Sequence, residues 1–190
     1  GKEILPDATA QIIVAVVRIL RQELGRDLFD DPVHTSCTGI GYHSDIVPLE
    51  TIMTVVARQF ALASEAGYEN LAVSCITSFG IYTEILETWQ EFPELEAKVR
   101  EHLFRATGRE FRKPKNVSHA SDIIFHHREA IRQRAAYLLV NRRTGEPLRG
   151  VEHIGCHYAK IFPKEGIGGV EFPYVLAGMI EAWGGQVVDY

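Results

Sequence analysis

The sequence predicts an α/β fold with a largely parallel sheet. Two observations carry that expectation. Stretches with apolar residues at helical spacing alternate with short apolar runs bounded by glycine, proline and aspartate, the alternation that builds βα units. All three cysteines, Cys37, Cys75 and Cys156, fall just past the end of such a run, and sites in parallel sheets form beyond the carboxyl ends of the strands.

The elements follow in order. Pro6 and Asp7 open a helix to about Leu24, with Ile12, Ile13, Val16, Ile19, Leu20 and Leu24 on one stripe and Gly25 as its stop. A short strand, Asp27 to Asp30, leads into a loop that carries His34, Ser36, Cys37, Gly39 and His43. A second helix spans about Pro48 to Ala66, burying Ile52, Val55, Val56, Phe60 and Leu62 and ending at Gly67. The strand Leu71 to Ser74 then meets Cys75, where a third helix begins and runs to about Gln90. Glu94 to Thr107 reads as a more polar helix, and Gly108 to Ser118, with Pro114 and four basic residues, as a linker. Ser121 and Asp122 cap a helix from Ile123 to about Ala136. Tyr137 to Val140 is open between its tail and a strand, and Asn141 to Gly150 is a turn. Val151 to Gly155 reads as a strand leading to Cys156, His157 and Tyr158. After a glycine-containing loop, Pro173 starts a helix to about Trp183, and Gln186 to Tyr190 is the last strand.

Composition narrows the class. The 190 residues are 46% apolar and carry a net charge of −5, enough for one core or two small ones and too apolar for disorder. The longest apolar run, Ile12 to Val17, is far too short to span a bilayer, and no secretory leader is recognisable. Three cysteines do not make a disulfide framework, and a reducing cytoplasm is the expected home. Charge is uneven: residues 1–97 hold 5 basic and 15 acidic side chains, residues 98–149 hold 13 and 5. The basic stretch reads first as a solvated helix face plus linker and second as a docking face for an acidic partner. Nucleic acid is disfavoured by the acidic whole and the lack of a binding motif. Gly166, Gly168 and Gly169 lie in a longer loop near Glu171 and read as a turn rather than a phosphate cradle. Trp89 and Trp183 read as core or interface residues.

An internal repeat is also legible. Ala15 to Asp30 matches Val175 to Tyr190 at an offset of 160, as apolar helix, glycine and short strand. A true repeat would make the chain part of a longer two-repeat protein, and chance similarity of two helix–strand units is the alternative.

The succession of landmarks resembles a known family. These are Ser36-Cys37-Thr38-Gly39, then Cys75-Ile76-Thr77-Ser78-Phe79-Gly80, then His153-Ile154-Gly155-Cys156-His157-Tyr158, and finally Gly184-Gly185-Gln186-Val187-Val188-Asp189-Tyr190. They resemble the cysteine-rich CCG-domain proteins, in particular the B-type subunits of heterodisulfide reductase, over nearly the whole chain. The resemblance implies two similar α/β units related by a pseudo-twofold axis. The first would be residues 1–107, then a basic linker at 108–120, then a helix and a truncated second unit at 121–190. It implies a cytoplasmic oxidoreductase subunit with a non-cubane iron–sulfur (4Fe-4S type) cluster, electron transfer to or from a disulfide or related sulfur substrate, and partner iron–sulfur and flavin subunits. Cys37, Cys75 and Cys156 match family ligand positions and are the implied metal and cofactor residues, with Cys156 and His157 as the implied catalytic pair. The sequence departs from the pattern at Ser36, which replaces the other cysteine of the CCG pair, and at Ser78, which replaces the second cysteine of C-x-x-C. Serine is a poor iron ligand, because its hydroxyl is far less acidic than a thiol. These departures keep two other readings open: a docking subunit that has lost its clusters, and an iron–sulfur subunit of 2-hydroxy-acid or succinate/fumarate oxidation.

Overall fold

The computed structural model describes residues 46–135, 138–155, 158, 167–169 and 172–188. They are mixed helix and strand, with two separate two-stranded parallel sheets, as the alternation requires. The chain groups into two compact units. One contains described residues 46–120 with 154–155, 158, 167–169 and 172–173; the other contains 121–135, 138–153 and 174–188.

In the first unit, α1 spans Leu49–Glu65, within a residue of its expected ends. The Pro48 carbonyl accepts from the amides of Thr51 (2.9 Å) and Ile52 (3.3 Å), and Glu50 in the first turn favours the positive end of the helix dipole. The helix stops because Gly67 takes a left-handed φ of 83°. That lets the Tyr68 amide reach the Ala63 carbonyl at 2.9 Å and the Gly67 amide reach Ser64 at 3.2 Å, the two bonds of a Schellman cap. Met53, Ala57 and Ala61 join Ile52, Val56 and Phe60 on the buried face, while Val55 is only half-buried.

β1 (Asn70–Val73) and β2 (Asn116–His119) pair in parallel, Asn70 opposite Asn116 and Val73 opposite His119. Between them run α2 (Ile76–Glu91) and α3 (Pro93–Thr107). Phe92 precedes Pro93 and is pushed out of the helical region (φ −126°, ψ 76°), which breaks the two helices apart. The α3 stripe is narrow, with Val99 and Leu103 as its buried residues, as expected for a polar helix.

β2 lies within the stretch expected to be a linker. A single apolar residue, Val117, packs on the core, and pairing is fixed by polar contacts the periodicity does not show. Asn116 Nδ2 donates to Asn70 Oδ1 at 2.7 Å, and the Lys115 amide donates to the Glu69 carbonyl at 2.7 Å. The basic residues on either side are engaged internally. Lys115 pairs with Glu69 (2.6 Å), Lys98 with Glu50 (3.4 Å), and Arg109 with Glu65. Glu96 holds both Arg100 (2.7 Å) and Lys113 (2.8 Å). Much of the basic stretch is thus a clasp on the acidic residues of α1 and α3 and on Glu69, just before β1.

The core beneath is aromatic. Phe60 meets Tyr82 and Trp89 edge-on at 5.6 and 6.2 Å, and Trp89 lies 5.3 Å from Phe111. Arg100 covers Phe111 at 4.1 Å and donates to its carbonyl at 2.8 Å. Trp89 is 1% exposed, the core position expected for it.

In the second unit the expected helix 123–136 is two, α4 (Ala120–His126) and α5 (Arg128–Arg134). The break falls at His127 (φ −102°, ψ 12°). There Arg128 folds back over the Phe125 ring at 4.1 Å and donates to the Phe125 carbonyl at 2.8 Å. Residues 141–147 form the turn expected there. The Asn141 side chain accepts from the amides of Arg143 (2.9 Å) and Thr144 (3.3 Å), and Val140 bridges Pro147.

β3 is Arg149–Gly150, paired in parallel with β4, Gln186–Val187. The strand expected at 151–155 is therefore displaced toward the turn. The Gln186 amide donates to the Leu148 carbonyl and the Val188 amide to the Gly150 carbonyl, so pairing is complete by Gly150. Glu152 instead caps α6 (Val175–Ala182), accepting from the Leu176 amide at 2.9 Å. No helix among the described residues is long and apolar enough to cross a membrane. The helix 7–24, the strand 27–30 and the loop 31–44 lie outside the described residues, and with them the first half of the internal repeat.

Candidate functional site at the carboxyl end of the first sheet

Because β1 and β2 are parallel, both carboxyl ends lie at one edge of the sheet. Cys75 stands there as the N-cap of α2, in extended conformation (φ −93°, ψ 119°). The switch from strand to helix follows from the local sequence. Leu71 and Val73 turn toward the core, and the apolar period then changes to Phe79, Tyr82, Ile85 and Trp89.

The Cys75 side chain is exposed. Partial burial is the largest single influence on its thiol and pushes the pKa up. The backbone amides and side-chain hydroxyls of Ser78 and Thr77 together outweigh it and hold the pKa below the usual thiol value. The thiol makes no full side-chain cap hydrogen bond, so these groups act as oriented dipoles at a helix N-terminus.

Tyr82 lies two turns further along the same face of α2. Its ring packs edge-on against Phe60 in the core, 5.6 Å between centroids. The residue is 8% exposed. Burial first, and the charge of Cys75 second, push its phenol up to about 12.

On the other strand end, His119 Nε2 lies 3.2 Å from the Ser74 carbonyl, one peptide unit from Cys75. A carbonyl only accepts, which assigns the proton to Nε2. The edge of the imidazole meets Phe79 at 6.0 Å and Tyr158 at 6.4 Å. Cys75 and His119 thus stand at one sheet edge, with the Phe79 and Tyr158 rings against the imidazole.

Sequence reasoning named Cys75 and not His119. The signal was present but faint. Val73-Ser74-Cys75 entering a helix is echoed by Val117-Ser118-His119 entering α4, and the echo was hidden by reading the basic stretch as linker. Cys37, Cys156 and His157 lie outside the described residues, as do Ser36, His34 and His43.

Four thiolates are the usual set for an iron–sulfur cluster. Around Cys75 the described residues provide one, and the position of a second in C-x-x-C is Ser78. No group of three or more histidine, cysteine, aspartate or glutamate side chains among the described residues could hold a metal ion. The described donors at this edge do not fit a four-thiolate cluster.

No protein-family model matches the chain. Among curated proteins, the chain is similar to the B-type subunit of the ferredoxin:CoB-CoM heterodisulfide reductase of Methanosarcina acetivorans, 27% identical over 175 residues. The match covers 88% of this chain and 54% of that protein, so the chain spans about half the length of its relative.

Proposed function

We propose that this chain is part of a redox subunit of the heterodisulfide reductase type, which moves electrons to or from a disulfide or related sulfur substrate within a cytoplasmic multi-subunit complex. The observation that carries the reading is the similarity to a heterodisulfide reductase subunit over most of the chain. The site is consistent with it: Cys75 caps α2 at the carboxyl end of a parallel strand, with a thiol held toward its thiolate form. Two related α/β units, each with its own small parallel sheet, belong to the same proposal.

The cofactor part of the reading is narrower. The donors around Cys75 do not fit a cluster, so no step is assigned to one at this edge. An iron–sulfur centre would have to be built on Cys37 and Cys156 with cysteines from elsewhere in the complex or the longer protein, and His157 would stand beside it.

The test uses the full-length protein with its co-purifying partners, under exclusion of oxygen. Reduced viologen dye should drive release of free thiols from a mixed organic disulfide. Inert behaviour toward disulfides, with turnover of a 2-hydroxy acid or succinate instead, would overturn the reading. So would complete absence of redox turnover in a complex that still assembles.

A further inference from the structure

We propose that the turn 141–147 and the strand β3 beyond it form a docking site for an extended, acidic segment of a partner protein, which adds as a third strand at the open edge of β3. Three features carry this. The first is charge that the fold leaves uncompensated. The basic residues around α3 and β2 are taken up by Glu50, Glu65, Glu69 and Glu96. Arg143 and Arg149 are exposed and make no ion pair among the described residues. Glu146 is the one acidic residue on this turn, and Glu152 beyond β3 is engaged at the amide of Leu176. The basic stretch therefore divides into an internal clasp in one unit and an outward-facing pair in the other.

The second feature is the backbone of β3. The Leu148 and Gly150 carbonyls accept from the amides of Gln186 and Val188, so the amide and carbonyl of Arg149 between them face the opposite edge. They make no hydrogen bond among the described residues. An open strand edge is a template for one more strand. The third feature is apolar surface at the same place. Leu148 and Val151, on either side of β3, are 47% and 49% exposed. An extended segment meets all three: its main chain pairs with Arg149, its carboxylates take the two guanidinium forks, and its apolar side chains cover Leu148 and Val151. A nucleic-acid backbone would use the arginines alone and leave the strand edge and the apolar side chains without a partner.

The inference rests on this surface and not on the redox reading, and its readout is binding. The experiment uses the full-length chain, washed in molar salt to strip partners held by charge. A fluorescent peptide of alternating glutamate and valine is titrated with it, and anisotropy is followed. The peptide should bind, and half-molar salt should weaken the complex. Arg149→Glu should weaken binding by about tenfold. Arg105→Glu makes the same change of charge on α3, where Arg105 faces Glu101, and should alter binding less than about twofold. The peptide with its backbone N-methylated keeps its carboxylates but loses its amide donors, so it should not bind; this arm needs no variant of the protein. Absence of peptide binding, equal effects of Arg149→Glu and Arg105→Glu, full binding of the N-methylated peptide, or equally tight binding of a single-stranded oligonucleotide of the same charge would each overturn the proposal.

Discussion

Glu96→Gln is the sharpest structural test, because one carboxylate carries two basic partners and the clasp they form positions β2. Glu96 lies in the first turn of α3 with its side chain 15% exposed, 2.7 Å from Arg100 and 2.8 Å from Lys113. Burial works to raise its pKa, but the hydrogen bonds and charges of Lys113 and Arg100 outweigh it and hold the carboxyl below the usual value. The two cations are themselves 43% and 39% exposed, so solvent screens each pair to about 0.2–1 kcal/mol. With a smaller share from the helix dipole, the total is about 1–2 kcal/mol. At a urea slope of about 2 kcal/mol per molar, Glu96→Gln should lower the unfolding midpoint by about 0.5–1 M. The measurement uses the emission of Trp89, which packs on Phe111 of the clasped segment, in a Trp183→Phe background. The sign with pH is fixed. A carboxyl depressed in the folded state stabilises fully above its unfolded pKa of about 4.5, and that contribution is lost as pH falls through the lower folded value. The gap between wild type and variant should therefore be open at pH 7 and close on acidification. It should also shrink in molar salt. An unchanged midpoint at pH 7, or a gap that widens in acid, would refute the clasp.

Three further outcomes follow from the packing and the site. Phe60→Ala removes the ring at the centre of the aromatic cluster, 1% exposed, and should cost about 3–5 kcal/mol in urea or thermal unfolding. Gly178→Ala would place a Cβ 2.5 Å from the Phe125 ring and 2.7 Å from the Tyr174 ring. The overpacking of about 1–3 kcal/mol should exceed the gain in helix propensity of about 1 kcal/mol, lowering the melting temperature of the second unit. Ser78→Ala removes a hydroxyl that favours the Cys75 thiolate, so the pH profile of alkylation at Cys75 should move upward; a profile that stays or moves down contradicts the dipole account.

How far the sequence reached depended on which force fixed each element. α1, α2, α3 and α6 were legible because an apolar stripe and a cap stood together, as with Phe60 over Gly67 or Val99 after Pro93. β2 was not, because Val117 is its one core contact and its register rests on Asn116–Asn70 and Lys115–Glu69, contacts between residues far apart in sequence. The break at His127 comes from Arg128 turning onto Phe125, a local choice that helical periodicity cannot see. β3 was misplaced because a two-residue strand is set by its partner Gln186–Val187 and not by the apolar character of Val151 to Gly155. Cys75 was found from its strand-end position alone, whereas His119 became visible only when β2 was paired with β1.

A serine at position 78 sets the chemistry of this sheet edge. A thiol at that position would share a metal or a disulfide with Cys75. A hydroxyl does neither, but it is a better hydrogen-bond donor, and at the first turn of α2 it is directed at the Cys75 sulfur. The Ser78 hydroxyl therefore favours an isolated thiolate at Cys75. Thiolate character alone would leave Cys75 an ordinary reactive surface residue.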